Sequence, residues 1–262
     1  MDTVVAQRWS IFAGHPLDAF VTGRRGGVSA GVYAELNLSL GVGDNPDDVV
    51  ENRHRAAAAA GAGLADMVFA HQVHGPDVAV VTDADRGRGT LTVDDAPAAD
   101  ALVTTTPGVG LAVMVGDCVP IVMYDPVAHV VAAVHAGWRG TVARVSDAAL
   151  GAMAGLGAER ARVLAGLGPA ITADRYQVGD DVADAARACF GGDANGVVRP
   201  DGTGRWTFDL WEANRRLLVE ADVDPANIEI SSIGTGSGTP YFSDRAARPC
   251  GRFAAIARLH PR

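Results

Sequence analysis

The densest apolar stretch of the chain lies between residues 109 and 134, and it constrains the fold more than any other feature. It contains three short apolar runs, at residues 109–115, 119–124 and 129–134. Asp125-Pro126 marks a turn between the second and the third run. Apolar runs of this length, bounded by turn residues, are typical of fully buried strands. The sequence therefore predicts a β-sheet core built around three consecutive strands.

Helices and further short strands are predicted on both sides of this stretch. Helices are expected at residues 49–60, where Asn45-Pro46 marks the start, and at 141–154, 180–189 and 209–221, the last with Asp209 as its cap. Strands are expected at residues 67–70, 78–82, 90–93, 101–105, 162–165, 228–232 and 253–259. Because both element types are mixed throughout and no linker or repeat interrupts them, residues 1–262 are expected to form a single α/β domain, with mixed β-sheets flanked by helices.

The charge composition excludes several classes of function. All 22 basic residues are Arg, so no Lys is present to form a Schiff base or to complete a phosphate-binding loop. Cationic contacts must therefore use guanidinium groups. The 31 acidic residues give a net charge of −9, which argues against a nucleic-acid partner and against adhesion to an anionic membrane.

The cysteines and the first residues indicate a location. The three Cys, at positions 118, 189 and 250, form no CxxC pair, which is typical of a reducing compartment. Met1-Asp2-Thr3 is not a basic region followed by an apolar stretch, and no apolar run is long enough for a spanning helix. We therefore expect a cytoplasmic protein with no membrane partner.

Three local motifs place polar side chains where apolar strands end. HQVHG at residues 71–75 follows a predicted strand, and GDC at residues 116–118 follows the run 109–115. HAGWRG at residues 135–140 follows the run 129–134. Side chains at strand ends leave the sheet where it opens to solvent, which is a common place for binding and catalytic sites in α/β proteins.

Three interpretations of these motifs remain open on spacing alone. Two His and Cys118 could bind a zinc ion with an open fourth position, which would activate water and polarise an attacked centre. Cys118 could instead be a thiolate nucleophile with His135 as its base and with Asp117 or Asp125 orienting the His. In the third interpretation, Cys118 is a small buried apolar residue and the His residues are hydrogen-bonded polar groups.

Taken together, the motifs resemble the YfiH/PgeF family, also called the laccase-domain family, over most of the chain. The most specific matches are QVHG at residues 72–75, DCVP at 117–120 and HAGWRG at 135–140, in this order and at this spacing. Further matches are LNL at 36–38, ENR at 51–53, DAL at 100–102, GP at 168–169, YQVG at 176–179 and FS at 242–243.

The resemblance implies a fold and a metal ion. The fold would be a single α/β domain similar to the catalytic domain of deamidating toxins. One zinc ion would be bound by His74, Cys118 and His135, with copper possible in its place. His74 matches the family ligand, whereas His71 lies where the family does not require a His. We therefore expect His71 to line the pocket and to bind substrate.

The resemblance also implies an activity on purine nucleosides. The implied reactions are phosphorolysis of adenosine, inosine and 5′-methylthioadenosine, and deamination of adenosine to inosine. The partners would be a purine nucleoside and phosphate, in a monomer or a homodimer. Cys118 and His135 would be catalytic as well as metal-binding. Asp117 and Arg139 are the candidates for the remaining catalytic contacts, and the candidates for substrate binding are Arg53, expected at phosphate, and Asn37.

Two other activities are attached to the same family. A peptidoglycan editing factor acting on a muramyl-nucleotide precursor would be hydrolytic and could use Cys118 and His135 without metal. A copper-dependent polyphenol oxidase, or laccase, is disfavoured because the chain has no His-x-His pair and could form at most one His₂Cys centre.

Overall fold

The computed structural model describes residues 4–262; residues 1–3, where no export signal is expected, lie outside the described residues. The helices are α1 (Pro46–Ala59), α2 (Trp138–Val142), α3 (Val145–Gly155), α4 (Asp180–Phe190) and α5 (Leu210–Glu220). The strands are β1 (Val5–Arg8), β2 (Leu17–Thr22), β3 (Met67–Phe69), β4 (Val78–Val80), β5 (Ala101–Thr104), β6 (Gly110–Val115), β7 (Val119–Asp125), β8 (Val130–Ala136), β9 (Leu164–Leu167), β10 (Gln177–Val178), β11 (Val198–Pro200), β12 (Trp206–Phe208), β13 (Ile228–Ile230) and β14 (Phe253–Leu259).

The strands form three sheets. A six-stranded sheet has the order β13-β9-β7-β8-β5-β4, and a five-stranded sheet has the order β1-β2-β14-β6-β3. Both are mixed, because β13 pairs parallel to β9 and β3 parallel to β6 while their neighbours are antiparallel. A small sheet, β10-β12-β11, completes the set. The expected fold class, an α/β arrangement of mixed sheets flanked by helices, is confirmed.

The six-stranded sheet is buried on both faces. In β7, Ile121 and Met123 belong to the apolar cluster shared with α3, α4 and α5. Val122 and Tyr124 belong to the cluster shared with the five-stranded sheet, because successive side chains of a strand point to opposite faces. The other face of the five-stranded sheet packs on α1. The molecule thus has four layers: helix, sheet, sheet and helices.

The apolar stretch forms the expected strands β6, β7 and β8, and β7 pairs with β8 across the turn that follows Asp125. However, β6 lies in the five-stranded sheet, whereas β7 and β8 lie in the six-stranded one. The chain therefore crosses from one sheet to the other over residues 116–118. This crossing places Asp117 and Cys118 where both sheets end.

Two expected elements differ from the structure. Residues 90–93 form no strand, and the carbonyl oxygens of Gly89 and Thr90 accept hydrogen bonds from the Arg53 guanidinium rather than from a neighbouring strand. The helix expected at 141–154 is divided into α2 and α3, because Arg144 has a left-handed backbone (φ 62°) that cannot continue a right-handed helix.

Two further features concern the helices. Asp209 caps α5 as expected, since its side chain accepts a hydrogen bond from the amide of Glu212. Within the part of the chain that the structure describes, no helix is long and apolar enough to cross a membrane.

Candidate metal centre

Three potential metal ligands come together from separate segments. His74 lies on the loop after β3, Cys118 immediately precedes β7, and His135 lies in β8. Pro120 pairs with His135 across the β7–β8 hairpin, which brings Cys118 to the same end of the sheet. One nitrogen from each imidazole and the thiol Sγ lie within 4.8 Å of one another. These three side chains could therefore bind one metal ion.

The buried carboxylate of Asp100 fixes two of these ligands. Its Oδ1 accepts hydrogen bonds from His135 Nδ1 at 2.7 Å and from the His74 amide at 3.0 Å. Its Oδ2 accepts from the amides of Val73 and Gly75 at 3.1 and 2.8 Å. Because an ionised carboxylate only accepts, His135 carries a proton on Nδ1, and its Nε2 is the nitrogen available to a metal.

The local charges favour a deprotonated thiol. Burial alone would raise the pKa of the Cys118 thiol, but His135 and His74 lower it to about 6 through their charges and hydrogen bonds. Burial alone would lower the pKa of His135, but the charge of Cys118 and the hydrogen bond to Asp100 raise it to about 9. The environment of Cys118 therefore favours its thiolate form. The thiolate is the form that ligates metal ions.

Asp100 is itself held in its charged form. Burial would raise the pKa of its carboxyl group, but hydrogen bonds from His135 and from the amides of Gly75 and Val73 hold it below its ordinary value. The carboxylate thus remains ionised at neutral pH although its side chain is fully buried.

The two turns that present His74 and Cys118 carry backbone strain. His74 itself has a φ of 63°, and Asp117 has a φ of 93°. A residue other than Gly in the left-handed region costs about 1–3 kcal/mol, and it persists where surrounding contacts determine the conformation. Asp100 supplies those contacts for His74. Asp117 is held by Thr235 Oγ1, which donates to its Oδ1, and by the Arg245 amide, which donates to its Oδ2 at 2.7 Å.

Gly137 leaves room beside the ligands. A Cβ atom at this position would lie 3.0 Å from Cys118 Sγ and 3.2 Å from His74 Cδ2. Two imidazoles and one thiolate with an open side fit the donor set of a three-ligand catalytic zinc site. The same donors suit copper, which binds N/S ligands more tightly than zinc does.

The ligands lie in the wall of a cavity of about 740 Å³, a volume within the range of small-molecule sites. His71 and Asp117 also line this cavity. Trp138 and Tyr176 give it aromatic surface, which suits a planar ligand.

Four Arg side chains line the same cavity, and three of them are engaged elsewhere. Arg245 donates from Nη1 and Nη2 to the carbonyl of Gln177, both at 3.1 Å. Arg248 and Arg252 both form ion pairs with Asp244. Arg139 differs, because its guanidinium lies 4.4 Å from the centre of the Trp138 ring and has no hydrogen bond or ion pair with residues 4–262. Its donors are therefore available to an anion in the cavity.

Arg53, expected at phosphate, does not line this cavity. It is fully buried, and its Nε donates to the carbonyl of Leu38 at 2.7 Å. Its Nη1 donates to the carbonyls of Gly89 and Thr90 at 2.5 and 2.9 Å. This geometry argues against a phosphate contact and assigns Arg53 a structural role, in which one guanidinium joins the loop at residue 38 to the loop at 89–90.

Asn37, also expected to bind substrate, lies behind the cavity wall rather than in it. It is fully buried, and its Oδ1 accepts from the amides of Ser39 and Arg252 at 3.0 and 2.9 Å. Ser39 and Arg252 do line the cavity. Asn37 therefore supports the wall through its neighbours.

The carboxylate that orients His135 is neither Asp117 nor Asp125, contrary to one interpretation of the sequence. Asp117 binds Thr235 and the Arg245 amide, as described above. Asp125 lies at the far end of β7, where it accepts from the amides of Val127 and Ala128. Asp100 takes this role, because it directly precedes β5, which pairs with β8. The sequence feature that could have identified Asp100 is an acidic residue immediately before a predicted buried strand.

The substitution Asp100→Asn tests the support of the ligands. We expect zinc affinity to fall about 10- to 100-fold, because the amide nitrogen of Asn cannot accept the hydrogen bonds that hold the ligands. Competition with a chromophoric chelator measures this affinity. Asp83→Asn is the control, since that carboxylate is 77% exposed and its partner Arg86 lies outside the cavity. Equal zinc affinity in both variants would contradict the assignment.

The substitution Arg53→Met tests the structural role of that residue. We expect the free energy of unfolding to fall by about 3 kcal/mol, because three buried carbonyl groups lose their donor. Urea denaturation measures the change. An unchanged free energy of unfolding would contradict the structural role.

Comparison with known proteins shows to which family and to which relatives this chain is similar. The family described as "Multi-copper polyphenol oxidoreductase laccase" matches residues 18–260. Purine nucleoside phosphorylase ORF3 of Streptomyces griseus is 43% identical over 256 residues, which cover 98% of this chain and 99% of that protein. Adenosine deaminase RL5, from an unknown prokaryotic organism, is 38% identical over 234 residues, which cover 87% and 88%.

A crystal structure of a similar protein has the same fold as this chain. The crystal structure of YlmD from Geobacillus stearothermophilus superposes with a TM-score of 0.90 at 33% identity, over 99% of this chain and 100% of that one. The family match spans all three potential metal ligands. The resemblance inferred from the motifs is thereby confirmed, and the chain belongs to the YfiH-like, laccase-domain family.

Proposed function

We propose that this protein is a zinc-dependent purine nucleoside phosphorylase that acts on adenosine, inosine and 5′-methylthioadenosine and also deaminates adenosine. The observation that carries the proposal is one cavity that combines an N, S, N ligand set with the unengaged guanidinium of Arg139. The names of the relatives support an enzyme of purine metabolism, since several are called purine nucleoside phosphorylase and one adenosine deaminase.

The metal would be held by His74, Cys118 and His135. When bound, zinc supplies a Lewis acid that stabilises negative charge developing on an oxygen or nitrogen of the reactants. The protein keeps the ligands in place, because Asp100 holds both the His135 ring and the loop that carries His74. A side chain at Gly137 would crowd two of the ligands, because its Cβ would lie 3.0 Å from Cys118 Sγ and 3.2 Å from His74 Cδ2.

Arg139 would bind the phosphate. A guanidinium offers planar donors that match two phosphate oxygens, and this one has no competing acceptor among the described residues. Stacking on Trp138 restricts its motion, so less conformational entropy is lost when phosphate binds. The aromatic surfaces of Trp138 and Tyr176 would contact the purine.

Phosphate-dependent release of adenine from adenosine tests the proposed reaction. We expect purified protein to contain about one zinc ion per chain and to release adenine only when phosphate is present. Removal of zinc, or the substitution Cys118→Ala, should abolish turnover. Cys189→Ala is the matched control, because this half-buried thiol lies on α4 outside the cavity. Full activity of metal-free protein would refute the proposal.

The substitution Arg139→Met tests the phosphate site. We expect the KM for phosphate to rise about 10- to 100-fold, because a hydrogen bond to a charged group contributes roughly 1.5–3 kcal/mol. The zinc content should not change. Arg199→Met, at an exposed position on β11, serves as the control. A phosphate KM that is the same in both variants would exclude Arg139 from the phosphate site.

A second candidate function is a metal-independent Cys-His hydrolase, such as an editing enzyme for a muramyl-nucleotide precursor. The arrangement that favours it is the series Cys118, His135 and Asp100, in which a thiolate, a base and an orienting carboxylate are in contact. For this function, thiol alkylation would block turnover while chelators would have no effect. His74 would then be dispensable, whereas the zinc enzyme requires it.

A further inference from the structure

Phosphorolysis of a purine nucleoside needs a proton donor as well as a phosphate site. When the bond between C1′ of the ribose and N9 of the purine breaks, the electron pair goes to the base, and a neutral base is released if N7 accepts a proton. A positioned general acid contributes about 10²- to 10⁴-fold to such a step. The following inference rests on the proposed function, because it names the group that supplies this proton.

Most titratable side chains lining the cavity are unsuited to the role. His74, Cys118 and His135 are the metal ligands. Asp117 accepts a hydrogen bond on each carboxylate oxygen, from Thr235 Oγ1 and from the Arg245 amide, so both of its oxygens are already engaged within the protein.

The outer part of the cavity offers no better donor. Asp244 is ion-paired with both Arg248 and Arg252, so both of its carboxylate oxygens are already engaged by guanidinium groups. Burial raises the pKa of the Tyr176 phenol well above its ordinary value, so it is a weak acid. The Arg side chains are too weakly acidic to release a proton at neutral pH.

His71 is the remaining titratable side chain in the cavity wall. Its backbone is fixed on both sides, since its amide donates to the carbonyl of Pro97 at 2.8 Å and its carbonyl accepts from Ala99 at 3.2 Å. Its imidazole is exposed and has no hydrogen-bond partner within residues 4–262. This imidazole thus lines the cavity on a fixed backbone segment, with both ring nitrogens unengaged among the described residues. A positioned His side chain is the group that most often acts as a general acid in enzymes.

We propose that His71 is the proton donor to the leaving purine. The imidazolium N–H transfers its proton to N7 as the N9–C1′ bond breaks and a phosphate oxygen forms its bond to C1′. The products are the neutral base, ribose 1-phosphate and neutral His71, which regains a proton from water. His71 and the potential metal ligand His74 lie three residues apart on the loop after β3, and both line the same cavity.

The substitution His71→Gln, assayed on two nucleosides, tests this role. Inosine needs protonation of its base, whereas 7-methylinosine carries a fixed positive charge on the base and releases it without a proton. We expect kcat/KM for inosine to fall about 100-fold or more, while that for 7-methylinosine changes by less than about threefold. Zinc content should remain at the wild-type value. His54→Gln, at an exposed position of α1, is the matched control.

The outcomes separate the two proposals. Loss of activity on inosine alone supports His71 as the proton donor. Equal losses on both nucleosides, or no loss on either, overturn the role of His71 and leave the phosphorylase proposal standing. A wild-type protein that shows no phosphate-dependent turnover of either nucleoside overturns both proposals.

Discussion

The cluster of three potential metal ligands depends on one buried carboxylate. Asp100 accepts four hydrogen bonds, three from consecutive amides at residues 73–75 and one from the ring of His135. It thereby joins the loop after β3 to the strand β8, although these segments lie in different sheets. Burial of an uncompensated carboxylate would be costly, so the charge requires all of these donors. The same hydrogen bonds to Asp100 hold His74 in its left-handed backbone conformation and orient the ring of His135.

The crossing between the two large sheets explains why the cavity lies where it does. Residues 116–118 carry the chain from β6 in one sheet to β7 in the other, and the third ligand is the last residue of this segment. Asp117 fixes the crossing to Thr235 and Arg245, so distant loops close the cavity around the ligands. Strained backbone at two ligand-bearing turns is consistent with positions that surrounding contacts determine.

Sequence patterns predicted the local features better than the long-range ones. The buried strands of residues 109–134, the Asp209 cap of α5 and the three ligand motifs were predicted because each depends on residues close together in the chain. The strands β1 and β2 were not predicted. The assignment of β6 and β7 to different sheets depends on pairing with β14, which local periodicity does not contain. The short strands of the β10-β12-β11 sheet have two or three residues each, too few for a periodic signal.

The roles of the site residues likewise depend on long-range packing that local sequence patterns do not contain. Arg53 and Arg139 both lie in motifs of the family, but one guanidinium is buried against carbonyl groups and the other faces the cavity. Residue type alone cannot separate these environments.

Zinc-edge X-ray absorption of the purified protein tests the ligand assignment most directly. The account predicts one sulfur at about 2.3 Å and two imidazole nitrogens at about 2.0–2.1 Å. A shell without sulfur, or without imidazole, would contradict it.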